Sequence, residues 1–223
     1  MALFNHVEFV VSVNDLSALP PDNDIEVAFV GRSNSGKSSA INTLTRRNRL
    51  AFVSKTPGRT QLINYFSLGG NRYLVDLPGY GFAGVPHAIR KHWEELLSAY
   101  ISRRRSLAGL VLIMDARHPL KQLDLGMLEW FAPTRKPVHA LLTKADKLSR
   151  AAAQDTLNKV RQDLKTLGLN ATVQLFSSLK KTGVEEAEEK IASLFRSHER
   201  QNETAGESEK GPGKGVAPGP QQP

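Results

Sequence analysis

Residues 25–38 read Ile-Glu-Val-Ala-Phe-Val-Gly-Arg-Ser-Asn-Ser-Gly-Lys-Ser, and this stretch decides the fold. Its first six residues form a short apolar run that stops at Gly31, as a buried strand does on entering a glycine loop. From there Gly31, Arg32, Ser33, Asn34, Ser35, Gly36, Lys37 and Ser38 fit the pattern G-x-x-x-x-G-K-[ST]. A helix is predicted from about Lys37 to Thr45. In such a strand–loop–helix unit, backbone N–H groups curl around phosphates at the amino end of the helix. The lysine reaches the terminal phosphates and the serine hydroxyl can ligate Mg2+. A chance glycine-rich turn would lack the flanking strand and helix.

Outward from this unit the chain alternates. Residues 62–68 and 71–77 are extended runs separated by Gly69-Gly70, which predicts a hairpin. Ile89, Trp93, Leu96, Leu97, Tyr100 and Ile101 recur at helical spacing. Residues 108–114 are almost wholly apolar, as a strand covered on both faces must be. A helix is predicted around 121–131, a strand at 137–142, a helix carrying Leu157, Val160, Leu164 and Leu167, a strand at 172–176, and a last helix from Val184 to about Ser197. This pattern predicts an α/β fold of the P-loop, Ras-like kind: a mostly parallel six-stranded sheet with one antiparallel strand, flanked by helices. Residues 1–24 are expected to be an N-terminal extension packed on the domain, in which Val7 to Val13 form a short strand or lie along the sheet edge. Residues 25–197 are expected to form the domain itself. Residues 198–223, where Gly and Pro replace apolar periodicity, are expected to be a disordered tail.

Composition narrows the setting. Cysteine is absent, which excludes disulfides, thiolate catalysis and Cys-based metal sites. The first 24 residues include Asp15, Pro20, Pro21, Asp22 and Asp24 and fit neither a signal peptide nor a membrane span. A cytoplasmic protein with no membrane association is the expectation. The net charge is +8, with clusters at Arg46, Arg47 and Arg49 and at Arg103, Arg104 and Arg105. Such a surplus suits a polyanionic partner or simply a solubilising surface.

Three further motifs define the chemistry. Asp76-Leu77-Pro78-Gly79 ends the hairpin; an aspartate there can hold a magnesium-bound water, and the Gly79 N–H can sense a γ-phosphate. Thr143-Lys144-Ala145-Asp146 ends a strand. Guanine offers a ring N–H and an exocyclic amine side by side, which one carboxylate, Asp146, can accept together, whereas adenine offers no such pair. Lys144 can lay its aliphatic stem on the base. Phe176-Ser177-Ser178 ends the last strand, where a backbone N–H can meet the guanine O6 and Ser177 can brace the Asp146 loop. Residues 46–61 and 80–88 are polar, glycine- and proline-bearing segments, suited to order–disorder switching. Lys37, Thr60 and Gly79 are the candidate catalytic groups.

With these motifs in hand, the chain resembles the EngB/YihA/YsxC family of bacterial GTPases, in the Era-like (TrmE-Era-EngA-EngB-septin-like) superfamily. The resemblance spans about residues 5 to 197. It rests on Leu19-Pro20-Pro21, residues 31–39, Thr56-Pro57-Gly58-Arg59-Thr60, Asp76-Leu77-Pro78-Gly79-Tyr80-Gly81 and residues 143–146. It implies GTP and GDP as ligands, with Ser38 and Thr60 as magnesium ligands beside Asp76. It adds Gly58, Arg59, Gln61 and Leu62 to the nucleotide contacts, with Asp76 to Gly79, Thr143 to Asp146, and Phe176 to Ser178. It also implies a monomer that assists assembly of the large ribosomal subunit, on ribosomal RNA, and is needed for normal cell division and septation. Two departures from small GTPases bear on mechanism. Tyr80 stands where many carry a water-orienting glutamine, implying slow intrinsic hydrolysis, and Thr143 stands for the commoner asparagine, which implies one weaker brace. Asn34 resembles the potassium-coordinating asparagine of related GTPases, so K+ joins Mg2+ as a candidate cofactor. The rival readings are an ATP-dependent P-loop kinase and an RNA-binding module with a structural nucleotide.

Overall fold

A computed structural model describes residues 3–51, 62–81 and 87–209. Seven strands form one sheet: β1 (Glu8–Val13), β2 (Ile25–Gly31), β3 (Ile63–Gly69), β4 (Arg72–Asp76), β5 (Leu107–Asp115), β6 (Val138–Thr143) and β7 (Ala171–Leu175). Their spatial order is β1-β3-β4-β2-β5-β6-β7. The run from β4 through β7 is parallel, whereas β1–β3 and β3–β4 pair antiparallel. The expectation of six strands with one antiparallel is therefore corrected to a mixed sheet of seven. The added strand is β1, whose Phe9 and Val10 face solvent and whose register slips between Phe9 and Val11. A bulged edge strand carries no clean two-residue alternation, so its pattern is weak in the sequence.

Among the described residues, five α-helices cover the sheet: α1 (Lys37–Leu44), α2 (His87–Arg103), α3 (Gln122–Phe131), α4 (Arg150–Thr166) and α5 (Val184–Glu209). Because side chains alternate across a strand, β2 feeds two cores. Val27 and Phe29 pack with Ile41 and Leu44 of α1 and Ile191 and Phe195 of α5. Ala28 and Val30 face the side of α2, α3 and α4, with Leu97, Phe131 and Val160. Every residue of β5 is buried, as its unbroken apolar run requires. Phe4 and Val7 of the N-terminal segment are buried in the same cluster as Ile41 of α1 and Phe195 of α5.

At the amino ends of the strands a buried polar cluster fastens this segment down. Glu26, 1% exposed, accepts hydrogen bonds from Tyr100 Oη (2.6 Å), Tyr65 Oη (3.2 Å) and the Arg104 guanidinium (2.5 and 2.9 Å). Arg104 also donates to the carbonyls of Pro20 (2.7 Å) and Pro21, which explains the Leu-Pro-Pro motif as an anchor. Helix α5 runs to Glu209, past the end read at Ser197. Residues 198–209 are thus helical where a disordered tail was expected, and Glu199 pairs with Arg72 at 2.6 Å. Residues 210–223 lie outside the described residues.

Candidate nucleotide site

Gly31, Asp76, Asp115, Thr143 and Phe176 all stand at or just beyond the carboxyl ends of parallel strands, where α/β sheets bind ligands. The phosphate loop leads into α1 through Gly36, whose φ of 99° favours glycine. A Cβ there would also press on Thr143 Oγ1 at 3.2 Å. Among the described residues no side chain caps α1, and the amino end of the helix brings its partial positive charge to the loop. Ser35 Oγ is buried and, among the described residues, has no hydrogen-bond partner. This cradle fits the phosphates of a nucleotide.

Lys37 Nζ forms an ion pair with Asp76 Oδ1, bringing the two phosphate motifs together across β2 and β4. Ser38 and Asp76 offer oxygen donors of the kind Mg2+ takes. Thr60, Gly58, Arg59 and Gln61 lie outside the described residues, while Leu62 leads directly into β3.

The base motif is wired to the phosphate loop. The Thr143 hydroxyl reaches the Ser35 carbonyl and, at 3.0 Å, the Met114 carbonyl, so this threonine still braces the loop in its own way. Lys144, with φ 56°, donates from Nζ to the Asn34 carbonyl at 2.7 Å and pairs with Asp115 at 2.9 Å. Asp146 Oδ1 accepts from Ser177 Oγ at 2.6 Å, the brace expected from the sequence. The Ala145 N–H binds the Phe176 carbonyl at 3.2 Å, which ties the third and fourth motifs. The Ser177 N–H is already spent on the Thr182 carbonyl at 3.0 Å.

Two site carboxylates were missed in the sequence. Asp115 binds Arg117 (2.6 and 2.9 Å) as well as Lys144. Burial works against its ionisation, but the hydrogen bonds from Arg117 and Lys144 prevail and hold its carboxyl well below the usual carboxylate range. A charged residue ending a fully apolar parallel strand was the available signal. Asp124 is wholly buried and takes hydrogen bonds from Arg32 Nε (3.0 Å), Tyr80 Oη (2.8 Å) and the Lys121 N–H (3.0 Å). Its position three residues into a helix start disguised it as a simple cap. Burial pushes the Asp124 carboxyl above its ordinary value against the opposing pull of Tyr80 and Arg32. Burial and the neighbouring Asp124 charge drive the Tyr80 phenol far up, so it stays a protonated donor.

This arrangement defines a P-loop nucleotide-binding protein with the base-reading loop of GTPases. The comparisons agree. The family described as 50S ribosome-binding GTPase matches residues 26–144. A probable GTP-binding protein EngB of Methylobacillus flagellatus is 63% identical, over 84% of this chain and 91% of that one. Its namesake in Nitrosomonas europaea is 58% identical over 96% and 98%. The chain belongs to the EngB family of GTP-binding proteins. Among solved structures, a probable GTP-binding protein engB superposes with a TM-score of 0.62 at 20% identity, covering 77% of this chain and 99% of that one. Aquifex aeolicus Era bound to GDP·AlF4− gives 0.61 at 19%, covering 77% and 57%. These two establish likeness of fold.

Proposed function

We propose that this chain is a guanine-nucleotide-dependent switch with slow GTP hydrolysis, whose GTP state is read out on the large ribosomal subunit, through ribosomal RNA. The observation that carries this reading is the convergence of all four motifs at one sheet end, with Asp146 held by Ser177 and Lys37 held by Asp76. In this reading, residues 31–38 hold the phosphates and the Gly79 N–H meets the γ-phosphate. Asp146 accepts from the guanine edge. Since the Ser177 N–H is engaged, the contact to O6 falls to Ser178. Thr60 would join Ser38 and Asp76 in holding Mg2+, which would neutralise charge on the phosphates. Asn34 supplies a ligand for K+, whose charge would serve where other GTPases use an arginine.

Slow hydrolysis follows from Tyr80. A buried phenol bonded to Asp124 is unavailable to orient a water. Arg32, engaged by Asp124 and the His118 carbonyl, is likewise not a free arginine finger. The ribosomal partner is supported by the description of the matched family and by the +8 charge. The protein would act as a cytoplasmic monomer, and defects in division and septation would follow from defective ribosome supply. Among the described residues, no helix is long and apolar enough to cross a membrane.

The test is sedimentation with purified large subunits under a non-hydrolysable GTP analogue and under GDP, beside GTP/ATP competition in solution. Co-sedimentation favoured by the analogue, with ATP failing to compete, is expected. Equal co-sedimentation in both states would refute the switch, and effective ATP competition would return the P-loop kinase reading. GTPase rates equal in sodium and potassium, with and without subunits, would remove K+ from the site.

A further inference from the structure

The Arg32–Asp124–Tyr80 cluster joins three separate parts of the site: the phosphate loop, the turn after Asp76-Leu77-Pro78-Gly79, and the first turn of α3. Its side-chain links are doubled in the backbone. Arg32 and Tyr80 form an isolated parallel bridge, in which the Tyr80 N–H donates to the Gly31 carbonyl at 3.2 Å and the Ser33 N–H to the Tyr80 carbonyl at 2.8 Å. Gly81 lies so close to α3 that a Cβ would meet Leu123 Cδ1 at 2.6 Å. These bonds hold Tyr80, and with it the neighbouring Gly79, against the phosphate loop through protein contacts.

A carboxylate with no exposure is costly unless its partners satisfy it. Among the described residues, Asp124 takes its side-chain donors from Arg32 and Tyr80, while the Lys121 N–H at the start of its own helix supplies a third hydrogen bond. Displacing Tyr80 would leave a buried carboxylate short of a donor and Arg32 the sole cross-link to the loop. The cluster thus sets the free energy of moving the Gly79 turn away. A γ-phosphate needs that turn in place, whereas GDP presents nothing there for Gly79 to meet. A turn held by protein contacts lowers the ordering cost of GTP binding alone.

The geometry points to Asp124 as a positioning residue that tunes the ratio of GTP to GDP affinity by latching Tyr80 to Arg32. The inference rests on the nucleotide reading above and adds the residue that couples α3 to the phosphate end. It gives α3, whose Leu123 and Trp130 are seven residues apart and about half exposed, a mechanical link to the nucleotide.

The experiment is titration of the full-length chain with a fluorescent non-hydrolysable GTP analogue and with GDP, for the wild type, Asp124→Asn, Tyr80→Phe and the double variant. Each single substitution is expected to lower the analogue-to-GDP affinity ratio roughly tenfold, within the usual size of coupling between sites. The double variant should lose no more than the larger single effect, because both act on one latch. Guanine-over-adenine preference should be unchanged throughout, a readout that general loosening of the fold would not spare. An unchanged or raised ratio, or additive effects in the double variant, would overturn the latch. If Asp124→Asn fails to fold, Tyr80→Phe alone decides, since it keeps the ring and removes only the donor. A wild type that shows no guanine preference overturns the nucleotide reading and the latch with it; retained guanine preference with an unmoved ratio overturns the latch alone.

Discussion

Asp146 and Thr143 show how single atoms divide the work of the site. One oxygen of Asp146 is held by Ser177 at 2.6 Å, which fixes the carboxylate as an acceptor surface. Replacing Asp146 with Asn turns part of that surface into a donor. The variant is expected to lose its preference for guanine nucleotides and gain affinity for xanthine nucleotides, measurable by competition binding. No change in base preference would refute the assignment. Thr143 is buried, and its hydroxyl serves the Ser35 and Met114 carbonyls. Thr143→Val keeps the shape but leaves those carbonyls without their donor, so a loss of about 1–3 kcal/mol in unfolding free energy is expected. Denaturant titration with and without GDP measures it, and nucleotide affinity should fall as well because Ser35 belongs to the phosphate loop.

The elements differ in how openly the sequence declares them. β5, buried along its whole length, and the loop from β2 into α1 are legible because the burial and the phosphate chemistry each demand unusual residues in a row. Lys37, Asp76, Lys144 and Asp146 come from those same demands, and the structure brings all four to one end of the sheet. β1 stays ambiguous in the sequence, a strand or an edge segment, because half of its strand signal faces water and a bulge interrupts it. The extension of α5 past Ser197 hides because residues 200–204 are exposed and need no apolar stripe. It continues from a turn already formed, and Glu199 meets Arg72. Asp115 hides because Lys144 is remote and its other partner, Arg117, two residues on, looks like an ordinary surface arginine, and Asp124 because Arg32 and Tyr80 are remote in sequence. The same holds for Glu26, whose four donating contacts come from β3, α2 and the residue just past it. Arg104→Ala leaves that buried carboxylate without its counter-charge and frees the Pro20–Pro21 anchor, so a loss of about 3–5 kcal/mol is expected. Urea unfolding reads the loss. Because the cluster is at the sheet end opposite the phosphates, the GTP affinity of the folded variant should stay within about twofold, as expected for sites that share no partners.

For the molecule as a whole, pH and salt are the accessible levers. His139 bridges Thr172 (2.8 Å) and Gln174 (2.9 Å) between β6 and β7, and burial pulls its pKa from 6.5 down to about 4. The unfolded chain therefore takes up this proton first. Stability from the neutral ring is fully present above about pH 6.5 and is lost as pH falls through about 4, by up to ~3 kcal/mol. Unfolding titrations at pH 7.5 and 4.5 should show this fall, and His139→Gln should flatten it; an unchanged slope would place the acid sensitivity elsewhere. If the +8 charge serves an RNA surface, subunit binding should weaken linearly in log–log form with added salt, whereas GTP affinity should respond far less. The two contacts from the base motif to the phosphate loop, Thr143 to Ser35 and Lys144 to Asn34, carry one more consequence. A ligand fragment at either half of the site stiffens the other half through the same two bonds, so guanosine and tripolyphosphate should bind cooperatively as separate molecules. Inhibitors that fill only the base slot would then trap an ordered phosphate loop, and drug fragments could be ranked by how strongly they raise the affinity for inorganic phosphate chains.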